Sequence, residues 1–193
     1  MPVILVLVCT VVLSLLRPSL PEQSPIVFSK QLTFNIYNFQ ITTLDTGTSS
    51  EVAIQARRGS LLLTAFRLPI DGIVVGADVA DLDSNRFPEI YIYLRSTGTG
   101  SFGRVVGWQF LPDRRVDILP TEWPMPATSG YMGHDSLWTE SYILCRKFPV
   151  YASGDANAYP TGGVQMVRYR LKPAGQVYVL EPEKSDTKKE QGG

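Results

Sequence analysis

A chain of 193 residues with 44% hydrophobic and 19% charged side chains has enough apolar mass to bury a core, and too little charge for a disordered polymer. Lys plus Arg and Asp plus Glu each number 18, so the formal net charge is zero and nothing recruits a polyanion such as nucleic acid. Two cysteines, Cys9 and Cys145, sit far apart, and loss of the first with an N-terminal leader would leave no intramolecular disulfide.

The first sixteen residues carry no charged side chain, and Arg17 and Pro18 end the run. That is short for a membrane span and suits the core of a signal peptide, although no Lys or Arg precedes it and no small-x-small cleavage site follows. Residues 1–20 are therefore expected to be a signal peptide or a hydrophobic anchor, with membrane attachment only if the segment is uncleaved. After a Pro- and Ser-containing linker, the chain changes to short apolar stretches separated by turn residues. Phe34, Ile36 and Phe39 alternate with polar residues, as do Val52, Ile54 and Ala56. Leu61 to Phe66 is nearly continuous and apolar, the pattern of a strand buried on both faces. Ile73 to Val75 is another short run. Ile90, Ile92 and Leu94 share one strand face, and Val106, Trp108 and Phe110 share a face of the next. Further strands are predicted at Ser141 to Leu144, Val164 to Leu171 and Gln176 to Leu180. Residues 183–193 are charged and lack large apolar side chains, so a disordered tail is expected.

No window outside the N-terminus has helical periodicity, and 14 prolines and 16 glycines interrupt the chain every ten or so residues. That spacing predicts an all-β fold, an antiparallel β-sandwich-like single domain over residues 26–182.

Four constellations could carry chemistry. Asp81, Asp83, Asn85 and Glu89 place oxygen ligands at alternate positions, as a calcium loop requires. The glycine of the sharp turn is missing and the last carboxylate comes too early for an EF-hand, so a turn leading into the Ile90 strand is the competing reading. His134 is the only histidine, flanked by Asp135 and Ser136, and neighbours on an extended segment point in opposite directions. A structural role is expected for it, as for Cys145 in the apolar run Tyr-Ile-Leu-Cys. Tyr159 to Gly163 lacks the Lys and helix of a phosphate loop and reads as a turn. Ser96 to Gly103 joins two predicted strands and is a glycine-rich hairpin without charge. It offers hydroxyls at Thr97, Thr99 and Ser101, an aromatic at Phe102 and exposed backbone N–H groups, so it could enter a polar cleft without burying an ion.

An ordered series of motifs carries a resemblance. It runs through Ala80-Asp-Leu-Asp83 with Pro88-Glu89, the Gly98–Gly103 loop and Gly130-Tyr-Met-Gly-His-Asp135. Arg146-Lys-Phe-Pro-Val-Tyr151, Asp155 to Gly163 and Tyr169-Arg-Leu complete it. In these the chain, from about residue 30 to 181, resembles the bacterial periplasmic inhibitors of invertebrate-type lysozymes. The resemblance implies a β-sandwich-like fold, a periplasmic location, often a homodimer, and no enzymatic activity or cofactor. It also implies inhibition by a Ser-Gly-x-Tyr loop inserted into the lysozyme cleft. The matching positions are Thr99, Gly100, Ser101 and Phe102, so Thr stands for Ser and Phe for Tyr. Arg114 and Arg115, beyond the next strand, are candidates for accessory contacts. The alternative function is a calcium-dependent carbohydrate or cell-wall binding module built on Asp81, Asp83, Asn85 and Glu89.

Overall fold

The fold is described by a computed structural model covering residues 26–45, 50–97, 100–121 and 130–183. The hydrophobic N-terminus, the polar tail from 184 and Thr99 lie outside the described residues. Within them there are twelve strands and no helix.

Strands β1 (Ile26–Phe34), β2 (Tyr37–Asp45), β3 (Ser50–Arg58) and β4 (Leu61–Ile70) form an antiparallel meander in chain order. The rest are β5 (Ile73–Ala80), β6 (Glu89–Arg95), β7 (Gly103–Phe110), β8 (Arg115–Pro120), β9 (Ser136–Glu140), β10 (Ile143–Pro149), β11 (Val164–Ala174) and β12 (Val177–Pro182). They build one sheet in the order β5-β6-β7-β8-β12-β11-β10-β9. Its pairs are antiparallel except β8 with β12, which run parallel with Tyr178 beside Ile118. The predicted all-β sandwich is therefore observed, with one parallel seam. Hairpins can only make antiparallel neighbours, and β12 reaches β8 through a long excursion that forms β9, β10 and β11 first.

Alternation along the strands divides the apolar side chains between two cores. Ile90, Ile92 and Leu94 of β6 and Trp108 and Phe110 of β7 face the meander, where they meet Phe39, Ile41, Val52 and Ile54. The opposite face of β6 carries Tyr91 and Tyr93 into a second core with Ile118, Leu144, Phe148, Tyr169 and Leu180. The eight-stranded sheet thus curls around its own interior. Its two edges are bridged through Asp78 of β5, whose carboxylate accepts from the backbone N–H of Thr139 on β9 (3.1 Å) and from the Tyr93 hydroxyl (2.8 Å). Gly107 makes room inside this curl: a Cβ there would come within 3.1 Å of the Tyr91 ring and 3.0 Å of the Ile90 carbonyl.

The doubly buried strand is β6, where six consecutive residues from Glu89 to Leu94 are buried. It is not β4, as the apolar run had suggested. β4 is the free edge of the meander, with Leu61 and Leu62 exposed. A β-bulge opposite Ala56 and Arg57 inserts one extra residue, so Leu63 and Phe66 both pack inward although they lie three positions apart. The run looked continuous because it contains a switch of face. The predicted Ser141–Leu144 strand is likewise two elements, since Ser141, at φ 54°, and Tyr142 form the turn between β9 and β10.

Truncation should separate the two strands. Ile92→Ala is expected to lower unfolding free energy by about 2–5 kcal/mol, and Leu62→Ala by about 0.5 kcal/mol or less, both read from urea denaturation.

Candidate functional site

The hairpin between β6 and β7 carries the predicted loop, of which residues 100–103 are described. Phe102 is 43% exposed and its ring packs edge-on against Tyr131, with centroids 5.7 Å apart. The loop backbone is tied down from within and from a second segment. Ser96 N–H donates to the Phe102 carbonyl at 3.0 Å, and Phe102 N–H to the Ser96 hydroxyl at 2.9 Å. His134 N–H donates to the carbonyls of Gly100 (3.0 Å) and Ser101 (3.2 Å). Gly133 lies so close that a Cβ there would come within 1.8 Å of the Gly100 carbonyl oxygen, and its φ is 91°. Ser101 and His134 hold φ of 47° and 61°, a region that costs non-glycine residues energy. Two strained residues thus face each other across the contact that fixes the loop.

Beneath the loop lies a buried ion pair. The side chains of Asp135 and Arg146 are both fully buried, with Arg146 Nε 2.6 Å from Asp135 Oδ1. Asp135 Oδ2 accepts from the Tyr131 hydroxyl at 2.6 Å and from the Gly103 N–H at 2.7 Å. The guanidinium stacks over Tyr131 and Phe148, 4.8 and 4.9 Å from the ring centroids. Burial by itself would lower the Arg146 pKa, but the Asp135 carboxylate, helped by Tyr169 and Tyr131, outweighs it and the net shift is upward. Burial, then the hydrogen bond to Asp135, pushes the Tyr131 phenol up. One carboxylate therefore holds together β7, the 130–135 segment and β10. Three of the motifs noted in the sequence converge here.

The remaining histidine chemistry is committed to structure. His134 Nε2 lies 3.2 Å from Asn157 Oδ1, and Asp135, its neighbour, faces Arg146 instead. Cys145 is buried, and burial, followed by Glu140, raises its thiol pKa. In the 152–163 turn, Asp155 accepts from the N–H groups of Ala152 (2.6 Å) and Thr161 (2.7 Å), and the Thr161 backbone bond leads in holding its carboxyl below the usual value.

Arg114 and Arg115 stand at the far end of β7 from the loop. Arg115 pairs with Phe110, seven residues from Gly103, or roughly 23 Å of strand at the ordinary rise. Its guanidinium lies 3.8 Å from the centre of the Phe66 ring and Arg114 pairs with Asp113, so neither borders the loop.

The Asp81–Glu89 segment is the turn from β5 into β6, at that same far end. Asp83 accepts from the Asn85 backbone N–H at 3.2 Å, and Asn85 Oδ1 accepts from Phe87 N–H at 2.8 Å, so the asparagine shapes the turn. Arg86 adopts φ 73° and makes the sharp bend without glycine. Glu89 is fully buried and accepts from Leu82 N–H (2.7 Å) and Gln109 Nε2 (2.9 Å). Burial first, then Asp83 and Asp81, pushes its carboxyl up to about 8 against the pull of Leu82 and Gln109. Burial also raises the Asp81 carboxyl. The same far end holds Tyr91, whose phenol is raised well above the ordinary value by burial, then by Glu89, Tyr93, Asp83 and Asp81.

Two residues of these clusters had no functional reading from sequence. Arg146 occupies the inward-facing series Leu144, Arg146, Phe148, and Gln109 the inward series Val105, Gly107, Gln109. A polar residue in phase with apolar ones is the signal that could have found both. No protein-family model matches the chain, and neither does any curated protein it was compared with.

Asp135→Ala leaves Arg146 without its counter-charge. An expected loss of about 3–5 kcal/mol in urea denaturation would match the rupture of a buried pair. In the surviving native protein, amide exchange at Phe102 and Gly103 should rise before that of β6.

Proposed function

We propose that the chain is a proteinaceous lysozyme inhibitor that blocks the active-site cleft with the hairpin loop between β6 and β7. The observation that carries this reading is an uncharged loop with a half-exposed aromatic, Phe102, pinned to the buried Asp135–Arg146 pair. A loop held in one conformation before binding loses little further entropy on docking. An aromatic with few rotatable bonds is a good anchor for a cleft.

The chemistry of the target fits that shape. Lysozyme-type glycosidases place a carboxylic acid and a carboxylate in a sugar-binding groove. A charged plug would have to shed its water there, whereas an uncharged loop does not. The sequence suggested that free backbone N–H groups would be the donors. In the fold, the N–H groups of Phe102 and Gly103 point to Ser96 and Asp135 instead. The partly exposed Ser101 and the Phe102 ring are then the groups that engage the target. Phe102 lacks the phenolic O–H of the pattern it resembles, and a hydrogen bond to a charged group is worth about 1.5–3 kcal/mol, or tenfold and more in affinity.

Purified protein should suppress cell-wall lysis by an invertebrate-type lysozyme at near-stoichiometric amounts, and no suppression at large molar excess would sink the reading. Phe102→Ala is expected to weaken inhibition by roughly tenfold or more, and Phe102→Tyr to strengthen it by a similar factor. Neither should move the melting temperature much, since the ring is 43% exposed. A charge at Gly100 is a poorer probe, because its Cβ would come within 2.3 Å of the Phe102 ring and displace it.

A further inference from the structure

The β5–β6 turn lies at the opposite end of β6 from the loop, and inhibition gives it no role. Asp81, Asp83 and Glu89 bring one carboxylate oxygen each within 4.8 Å of one another. Carboxylates this close repel one another, and more strongly as water is excluded. Clusters of this kind are ordinarily neutralised by Lys or Arg. Among the described residues the ion pairs of Lys30, Arg67, Arg104, Arg114, Arg146, Arg170 and Lys172 all go to other carboxylates. The hydrogen bonds that reach the three from outside come from neutral groups, namely the N–H groups of Leu82, Asn85 and Arg86 and the amides of Asn85 and Gln109, while Asp81 and Asp83 also lie within hydrogen-bond reach of each other.

One atom within the cluster and one side chain outside it lack a hydrogen-bond partner. Asp81 Oδ1 is buried without a hydrogen bond. The Tyr91 side chain is fully buried and its hydroxyl has no partner. Tyr91 follows Glu89 by two residues and so lies on the same face of β6. Buried polar atoms are nearly always answered by something, and Tyr91 shares a core with Leu82 of this turn and lies close enough to Glu89, Asp83 and Asp81 for its phenol to feel their charge.

We propose that the β5–β6 turn is a calcium site in which Asp81, Asp83 and Glu89 supply the carboxylate oxygens. The donor set is oxygen alone, which suits a hard cation and not zinc or copper. Magnesium keeps several waters and an octahedral shell, and a turn closed on one side by a fully buried Glu89 favours the more adaptable calcium. A water held on the ion would answer the Tyr91 hydroxyl. Gln109, which donates to Asp83 at 3.0 Å and Glu89 at 2.9 Å, couples the site to β7. The ion is enclosed by protein on the Glu89 side, so its role is to fasten the β5–β6 connection and not to bridge a sugar. This inference does not rest on lysozyme inhibition.

The test uses the full chain freed of metal with a chelator, then titrated with calcium chloride by calorimetry and by melting temperature. Binding of one ion per chain with a melting temperature that climbs with calcium is expected, with a smaller climb at equal magnesium. Asp83→Asn should weaken calcium binding about tenfold or more. Absence of saturable binding up to millimolar calcium, or equal affinity in Asp83→Asn, would overturn the proposal. Should that variant fail to fold, tyrosine-sensitised terbium luminescence of the unmodified chain decides: displacement of terbium by calcium supports the site, and no sensitised signal refutes it. Lysozyme inhibition, assayed with and without chelator, is expected to stay within twofold, so the two readings fail separately.

Discussion

Burial of β6 on both faces is the constraint from which the rest of the molecule follows. Six successive residues have no solvent to face, so each must satisfy one of two cores. Ile90, Ile92 and Leu94 commit to the meander, and Tyr91 and Tyr93 commit to the interior of the curled sheet. A slip of one residue would exchange the two sets and turn Tyr91 and Tyr93 into the meander core, among Ile41, Val52 and Ile54. The register of β6 is therefore strongly fixed, and whatever is attached to its two ends inherits that rigidity. One end carries the 100–103 loop and the other the acidic turn.

The two ends solve opposite electrostatic problems. At the loop end a buried carboxylate, Asp135, has a buried guanidinium, a phenol and a backbone N–H around it, and every one of them donates. Such a pair contributes little net stability but is costly to break, so its main effect is to hold three chain segments in one arrangement. At the other end three carboxylates meet with only neutral donors among them, and Glu89 keeps its proton well above the ordinary carboxylate range. The first arrangement carries its counter-charge within the chain. The second is balanced by a proton on Glu89 or by a cation.

The loop illustrates how strain and anchoring combine. Ser101 and His134 both occupy positive φ, and Gly133 accepts a backbone approach that no side chain would allow. The energy these residues give up is offset by the hydrogen bonds between the segments, so the loop has few alternatives to its observed shape. A flexible glycine-rich hairpin and a rigid one have the same composition. The difference lies in the 130–135 segment, thirty residues away in sequence.

Much of this was legible in the chain alone. Alternation fixed the strands now called β3, β6, β7 and β11 and the faces of Ile90, Ile92, Leu94, Trp108 and Phe110, because a period of two follows from strand geometry itself. The turn at Asp81–Glu89 and the hairpin before Gly103 were equally local, set by Asp, Asn and Gly chemistry. What the sequence misjudged or missed required knowledge of neighbours in space. The Leu61 run is an exposed edge with a bulge, since burial depends on which strands lie alongside. Arg114 and Arg115 are far from the loop because β7 is extended. Above all, the meeting of Asp135 with Arg146 and of Glu89 with Gln109 is decided by sheet curvature and register, which place distant residues face to face. No local pattern encodes that, since a side chain's partner across a sheet depends on the whole chain's path.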